Sequence, residues 1–454
     1  MLHETERNSS PQSSFHRALT EFLDAAPVIL GLVLIIGPQL LFSSPEYRCE
    51  PRLWAFSICS LLAWRIFSKP LRPLGKLTMA AVVGLLIAHV ASWIGGIQHG
   101  VSIGAASMQA VQGLIAVLGL AAMVTTFLEP KWRRLGKFLI VPLLVAILAS
   151  SYFCYFLQID QLIPMGRYPQ FFEPTRLVFI WPLRIPFHWA GQIGWEHANH
   201  AAFVFAVAMV MIIEYLAVRK SSRSWPWWLL ALFLGSAVFL TGSRSAWLML
   251  LAAVPLVVYR RPKSFVIPTA LVLCGALACG IASLKMKEAL LVEAAGAAVG
   301  TNAVPAGVPK RDLHLEGLLE RKSAGRVSAY QSFWEHFQDS KVFGRGLSAT
   351  GKPIVQLMHE HSSFIATFRG GGFVALAAHI LILVASIILA SRLFSEGNRW
   401  PLALLVVVLP GLLFDRGNVF ILSGRYEFLF HWIAVLTPLL IINFKYDLIT
   451  TKTS

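Results

Sequence analysis

The stretch "RGGGFVALAAHILILVASIILASRL", residues 369–393, places three glycines directly before an apolar run that is long enough to cross a bilayer. A helix of about 20 apolar residues spans a membrane, and comparable runs occupy residues 26–42, 78–97 and 201–218. We count about twelve such runs along the chain by hydropathy. The glycines mark a place where this span can pack closely against other helices.

The bulk composition agrees with a membrane protein and excludes a set of soluble domains. The 454 residues are 56% hydrophobic and 14% charged, with a mean hydropathy of +0.65. Soluble domains carry more charge and less apolar residue than this. We therefore predict an all-α polytopic membrane protein with about twelve transmembrane helices. The polar start of the chain has no signal-peptide pattern, so the first span is expected to act as an anchor.

The net charge of +16 would fit a nucleic-acid-binding protein, but the positions of the basic residues argue for membrane topology. Short basic clusters follow every second span, at 65–76, 131–137, 219–223 and 260–263. This is the positive-inside pattern of cytoplasmic loops. Both termini are therefore expected in the cytoplasm, and no nucleic-acid partner is expected.

Two long loops then lie on the other side of the membrane, at about 159–196 and 286–361. In the second, apolar residues recur at three- and four-residue spacing, which predicts an amphipathic helix at 326–339. Gly344 and Gly346 are expected to end it in a turn. The predicted organisation is spans one to nine in 1–285, a periplasmic helical subdomain in 286–361, and spans ten to twelve with a short tail in 362–454.

The five cysteines form no CxxC pair, and all except Cys49 lie inside apolar runs. This pattern supports neither a disulfide framework nor a zinc site. We therefore predict no metal and no cofactor.

The stretch "LTGSRSAW", residues 240–247, brings two apolar runs together with almost nothing between them. Arg244 is therefore expected in a tight outer turn beside Ser243. A charge so close to hydrocarbon is costly unless it is paired or faces a polar cavity, which favours a functional role. The alternative is an arginine that reaches lipid headgroups.

Other outer-loop arginines also run against the positive-inside bias, among them Arg184 and Arg326. Contact with membrane lipid headgroups is one explanation for each. As a set they fit phosphate binding, because planar guanidinium groups can hold a phosphate through two hydrogen bonds.

Two histidine-bearing patches lie at the outer starts of spans. In "GWEHANHAAF", residues 194–203, Asn199 and His200 either contact a sugar or phosphate or satisfy a helix start. In "LMHEHSSF", residues 357–364, His359 and His361 are two apart, so on a helix they would point in different directions. With no carboxylate cluster nearby, a metal site is disfavoured. A histidine general base fits better, and a polar helix cap at Ser362 is the structural alternative.

Taken together, these patches resemble the bacterial O-antigen ligase and O-antigen polymerase superfamily. The resemblance rests on the "TGSR" turn, the Asn-His pair, the helix that leads to "VFGRGL", and a histidine followed by a small polar residue. The ligase pattern continues to a glycine and then to Gly, Thr or Tyr. Here His361, Ser362 and Gly372 match, and Ala375 stands at the last position. The match favours His361 over His359 as the family's essential histidine.

The resemblance implies a GT-C-like glycosyltransferase of the bacterial inner membrane that works on the periplasmic face. Its donor would be an undecaprenyl diphosphate-linked glycan, and its acceptor a sugar hydroxyl of the lipid A core oligosaccharide, which completes lipopolysaccharide. The reaction would be inverting and independent of metal. His361 would be the base, Arg244, Arg326 and Arg184 would hold the diphosphate, and Asn199, His200, His359 and Ser243 are candidate contacts to sugar or phosphate.

Three other functions stay open. A polysaccharide polymerase uses similar donor chemistry with a different acceptor, and a protein O-oligosaccharyltransferase attaches the glycan to Ser or Thr. A transporter would need charges inside the spans or two related halves with broken helices, and neither pattern is evident in the sequence.

Overall fold

The computed structural model describes residues 75–128, scattered positions between 141 and 149, and then 177–180, 183–186, 198–218, 224–240, 243–299, 340–347, 362–414, 419–420 and 426–444. The helices there are α1 Lys76–Gln98, α2 Ile103–Leu128, α3 Ala198–Val218, α4 Trp225–Leu240, α5 Arg244–Val258, α6 Lys263–Val299, α7 Ser363–Ser395, α8 Trp400–Phe414 and α9 Tyr426–Phe444. Two strands, β1 Leu177–Ile180 and β2 Leu183–Pro186, pair antiparallel.

Apolar helices dominate the described residues, which confirms the prediction of a helical membrane protein. Within this part of the chain, four helices are long and apolar enough to cross a bilayer, in α1, α2, α6 and α7, and the other five are shorter apolar helices. The predicted runs at 78–97 and 201–218 correspond to α1 and α3. The strand pair lies in the predicted loop at 159–196 and was not part of the all-α prediction. Helix α6 continues past residue 285, the expected end of the first domain, to Val299.

One end of the helix bundle carries basic side chains that tie several helices together. Arg261, between α5 and α6, places Nη2 2.9 Å from Oε1 of Glu214 in α3. Arg399, just before α8, donates a hydrogen bond to the carbonyl of Tyr259 after α5. The backbone N–H of Gly75 donates to the side-chain amide oxygen of Asn443 in α9, at 3.1 Å. We call this the basic end; it adjoins the predicted cytoplasmic loops.

Helices α1 and α7 pack through small residues. A Cβ atom added at Gly84 of α1 would lie 3.2 Å from the carbonyl oxygen of Ala378 in α7. Further along α7, the Ser386 hydroxyl donates a hydrogen bond to the Val435 carbonyl of α9 at 3.1 Å. Lipid is as apolar as the side chains, so helices in a membrane associate through close packing and interhelical hydrogen bonds. Gly84 and Ala378 allow the close packing, and Ser386 provides the hydrogen bond between helices.

Helix α7 consists of two helices joined at a break. Gly371 and Gly372 have non-helical backbone angles, with φ of 64° at Gly372. Phe364, before the break, stacks on His379, after it, with ring centroids 5.1 Å apart. In one straight helix their Cα atoms would be roughly 22 Å apart at 1.5 Å per residue. The chain therefore folds back at the glycines, and residues 363–370 form a short arm beside the long helix 373–395.

The segment 340–347 is bonded to the break in α7. Its backbone makes four hydrogen bonds there: Arg345 N–H to Arg369 O at 2.8 Å, Gly346 N–H to Gly370 O at 2.9 Å, Phe373 N–H to Lys341 O at 2.7 Å and Val374 N–H to Val342 O at 3.3 Å. A broken helix at membrane depth leaves backbone groups without partners, which is tolerated only where protein or a cavity satisfies them. This segment satisfies four of them. We call this contact the glycine lock.

Close approach of backbones makes the lock compact. Gly346, with φ of 83°, faces Gly96 of α1 so closely that a Cβ atom there would overlap the Gly96 Cα atom. A Cβ atom at Gly371 would lie 2.7 Å from the Ser92 hydroxyl oxygen, also in α1. The sequence prediction that this glycine run permits close helix packing is confirmed. The turn predicted at Gly344 and Gly346 is also present, with positive φ at both.

The lock predicts that Gly372→Ala destabilises the protein. The backbone there has φ of 64°, and a Cβ atom would collide with the carbonyl of Val342. Left-handed strain alone costs about 1–3 kcal/mol, and the collision adds to it. We expect the thermal unfolding midpoint in detergent to fall by several degrees.

Two control variants separate strain from collision. Gly100→Ala has a positive φ of 83° in open space, and Gly104→Ala lies in open space within helix α2. The first should lower the midpoint less than Gly372→Ala does, and the second should leave it unchanged or raise it. Equal midpoints for Gly372→Ala and Gly104→Ala would contradict the lock.

The ion pair at the basic end predicts a second stability effect. Glu214 is 4% exposed, so Arg261→Ala would leave a buried carboxylate without its partner, which typically costs about 3–5 kcal/mol. We expect a large drop in the unfolding midpoint and recovery in the double variant with Glu214→Gln. The exposed pair Arg392–Glu396 is the control, because its loss should change little. A single variant as stable as the double variant would argue against the pair.

Candidate active site

The arm of α7 begins directly after His361. Ser362 precedes the first helical residue, with an extended backbone (φ −156°, ψ 129°), and its side chain makes no capping hydrogen bond. Its carbonyl accepts the Ala366 N–H at 3.0 Å. Ser362 and Ser363 are 5% and 0% exposed. The chain that follows the predicted catalytic histidine is therefore buried within the helix bundle.

The arm packs against a histidine in the long helix of α7. Nδ1 of His379 lies 3.4 Å from the Thr367 hydroxyl oxygen in the arm, and its ring stacks on Phe364 with an interplanar angle of 19°. On its other side, His379 meets the ring of His431 from α9 edge to face, at 5.0 Å between centroids. Both histidines are fully buried. The first turns of the arm thus contact His379, and His379 in turn packs against His431.

An inserted loop completes the wall of this region. Residues 419–420 lie between α8 and α9, and the Phe420 ring contacts His89 of α1 and His379, each at 5.5 Å between centroids. The indole N–H of Trp432 donates to the Val419 carbonyl at 2.6 Å, which holds the loop in place. Phe420 is 1% exposed. The arm, α1, α9 and this loop therefore enclose one aromatic and imidazole-rich core, which we call the histidine core.

Several polar atoms of the histidine core are buried without a hydrogen-bond partner in the described part of the chain. They are Nε2 of His89, Nε2 of His379, both ring nitrogens of His431 and the hydroxyl of Ser363. An unsatisfied buried polar group costs about 1–3 kcal/mol. In the same part of the chain, no group of three or more His, Cys, Asp or Glu side chains is placed to hold a metal ion. The histidine core therefore places several buried polar atoms between the arm and helices α1 and α9.

The sequence analysis did not single out the histidine core. A signal was available, because His89, His379 and His431 each lie inside an apolar run. Ionisable residues within spans are rare and usually functional. What the sequence could not show is that a loop residue, Phe420, would contact His89 and His379 from two separate helices, or that His379 would contact His431 from a third.

Arg244 was predicted in a tight turn, and in the structure it is the first residue of α5, directly after Ser243. Helix α4 ends at Leu240 and α5 begins at Arg244, so the two helices are joined by a very short link. Ser243 is 3% exposed, and its hydroxyl oxygen lies 3.0 Å from that of Ser245. Trp247 stacks on Phe239 across the turn, with centroids 5.4 Å apart. These contacts hold the start of α5 rigidly, while the Arg244 side chain itself lies outside the description.

The other predicted site residues are described in backbone only or lie outside the described residues. Arg184 stands in β2, opposite Phe179 of β1, and Asn199 and His200 lie in the first turn of α3. Outside the described residues are Arg326, His359, His361 and the predicted amphipathic helix at 326–339. Their roles remain predictions.

The first turns of α3, α5 and α9 lie together at one end of the bundle, opposite the basic end. Phe203 of α3 packs on Phe430 of α9, with centroids 5.7 Å apart. A Cβ atom at Gly411 of α8 would contact the Phe203 ring and the Met249 sulfur of α5. The first turns of α3, α5 and α9 therefore lie at the end that holds the arm, and we call it the arm end.

Two arginines at the arm end were not assigned a role from the sequence. The Arg345 N–H donates to the Arg369 carbonyl within the glycine lock, and both residues are partly buried. Arg369 therefore has a backbone role at the junction of the arm and the segment 340–347.

Comparison with known families covers the same part of the chain. Residues 228–380 match the family model described as O-Antigen ligase. The matched segment runs from α4 through the Arg244 turn and the glycine lock to the middle of α7. No curated protein matches the chain. The match agrees with the resemblance found in the sequence: over residues 228–380 the chain is similar to the O-antigen ligase family.

Proposed function

We propose that this protein is an O-antigen ligase. It transfers a glycan from undecaprenyl diphosphate to a sugar hydroxyl of the lipid A core oligosaccharide and so completes lipopolysaccharide. The observation that carries the proposal is the family match over residues 228–380. That segment contains Arg244, Arg326 and His361, the residues to which we assign the chemistry.

In the proposed reaction, His361 takes the proton from the acceptor hydroxyl as its oxygen attacks the anomeric carbon of the donor. The bond from that carbon to the diphosphate oxygen breaks, and undecaprenyl diphosphate leaves with the electron pair. Attack from the side opposite the leaving group inverts the anomeric configuration. An imidazole suits the base role because its ordinary pKa lies near neutrality.

The negative charge that grows on the leaving diphosphate needs stabilisation, from either a metal ion or fixed cations. We assign this role to Arg244 and Arg326, with Arg184 as a helper, and propose a metal-independent reaction without a cofactor. Candidate contacts to sugar or phosphate are Asn199, His200, His359 and Ser243. The stack of Trp247 in α5 on Phe239 in α4 supports the assignment, because it holds the start of α5 against α4.

The proposed setting is the bacterial inner membrane, with about twelve spans and both termini in the cytoplasm. The basic end faces the cytoplasm, and the arm end faces the periplasm together with the loops at 159–196 and 286–361. In this arrangement 286–361 forms a helical subdomain above the site, between the spans of 1–285 and those of 362–454. Both substrates are lipids, so each enters sideways from the membrane.

The rival functions differ in the acceptor. A polysaccharide polymerase would extend a second lipid-linked glycan, and a protein O-oligosaccharyltransferase would modify Ser or Thr. Purified protein reconstituted with a lipid-linked glycan should join it to lipid A core. A product formed only with the second glycan, or only with protein, would replace the ligase by that rival.

The proposed base predicts the behaviour of His361→Ala. Loss of a general base typically lowers the rate about 10²- to 10⁴-fold. We expect a loss of this size in the reconstituted transfer assay, with an unchanged amount of folded protein. His99→Ala is the matched control, because His99 is exposed and, among the described residues, its side chain bonds the Gly95 carbonyl of its own helix. Near-normal transfer by His361→Ala would remove the assignment.

The proposed diphosphate contact predicts the behaviour of Arg244→Lys. Lysine keeps the charge but loses the planar pair of donors that holds a phosphate. We expect transfer to fall about 10- to 100-fold, measured as kcat/KM for the lipid-linked donor. Arg392→Lys, an exposed change at the basic end, should leave kcat/KM unchanged. Full activity of Arg244→Lys would show that bidentate binding is not needed there.

A further inference from the structure

The interior of α7 contains a histidine whose presence needs a reason. His379 is 0% exposed and lies in a helix that is long and apolar enough to cross a bilayer. A polar ring in such a place is unfavourable unless it is bonded, and ionisable residues within spans usually serve function. The proposed reaction makes no direct use of His379. Its contacts are with Phe364 and Thr367 of the arm.

The arm is attached to the rest of the protein at two places. At its far end, the glycine lock holds Arg369 and Gly370 through the backbone of 340–347. Near its beginning, Phe364 and Thr367 contact His379 through a stacked ring and a hydrogen bond. The glycine lock sets where the arm ends, and His379 sets where it begins.

His379 is itself held by neighbours from other elements. The ring of His431 in α9 stands at 86° to it, and the Phe420 ring stands at 83°. These edge-to-face contacts are a favoured aromatic arrangement. His379 therefore cannot turn away from the arm without disturbing the histidine core.

We propose that His379 is a positioning residue, which holds the first turns of the arm through Thr367 and Phe364 and so fixes the position of Ser362, the residue that follows His361 in the chain. The role of residue 361 in this inference rests on the proposed function.

The short distance along the chain makes such control effective. Only Ser362 and Ser363 stand between residue 361 and Phe364, and Ser363 is already helical and fully buried. A displacement of the first turn therefore moves Ser362, the residue that is bonded to residue 361 in the chain. Misplacement of a reacting group by about 1 Å can cost a factor of 10² in rate.

The first experiment measures the position of the arm without any substrate. In full-length protein whose five native cysteines are replaced, Ser362→Cys is labelled with a membrane-impermeant maleimide. Labelling should be slow, because Ser362 is 5% exposed. Adding His379→Ala should speed it about fivefold, the change that loss of one buried hydrogen bond produces. An unchanged labelling rate would overturn the inference.

The second experiment measures transfer kinetics in proteoliposomes with a lipid-linked glycan and lipid A core. His379→Ala should lower kcat about 10- to 100-fold and leave KM for both substrates within about twofold, because the binding groups are untouched. Thr367→Val should act in the same direction, whereas Thr367→Ser and His379→Gln should restore part of the rate by keeping a hydrogen bond. Faster labelling without a fall in kcat would overturn the positioning role.

A control variant and a second reference separate this inference from general damage. Ser386→Ala removes a buried hydrogen bond in the same helix, away from the arm, and should change neither labelling nor kcat. If His379→Ala fails to accumulate, the Thr367 pair decides the outcome. Failure of the proposed function would instead appear as full activity of His361→Ala, whatever the His379 variants do.

Discussion

The glycine lock is the contact on which the arm end depends. Within a bilayer, a helix can break only if the freed N–H and carbonyl groups find partners. The segment 340–347 provides four such bonds to α7. Glycines lie where the segment meets α1 and α7, so the backbones approach more closely than a Cβ atom would allow. The reversal of the chain at Gly372 follows from this fit.

The two ends of the bundle are stabilised by different kinds of contact. At the basic end, Arg261 pairs with Glu214, and Arg399 bonds the carbonyl of Tyr259, so charged side chains join helices. At the arm end, backbone contacts and rings do this work, through the lock and the histidine core. Charged side chains are favourable where they can reach the polar membrane surface. A permanent charge buried among apolar helices is costly, so uncharged contacts suit the arm end better.

The sequence predicted much of the architecture correctly, and the reason is that hydropathy is a local property. The run at 78–97 became α1, the run at 201–218 became α3, and the "TGSR" turn joins α4 to α5. Close packing at the glycines of α7 was also predictable, since residue size alone permits it. By contrast, the strand pair at 177–186 was missed, because strands of four residues are too short to show a recognisable pattern in the sequence.

The direction of the arm could not be read from the sequence. The sequence marks an apolar run after the three glycines, but it does not show which way the chain before them runs. The contact of Phe364 with His379 shows that the chain turns back. Likewise, His89, His379 and His431 are three isolated histidines in the sequence. By itself the sequence determined the class of protein, the helix positions and the chemistry-bearing residue types, since these follow from local composition. Tertiary structure alone decided the lock, the arm and the histidine core, because each joins residues that are far apart along the chain.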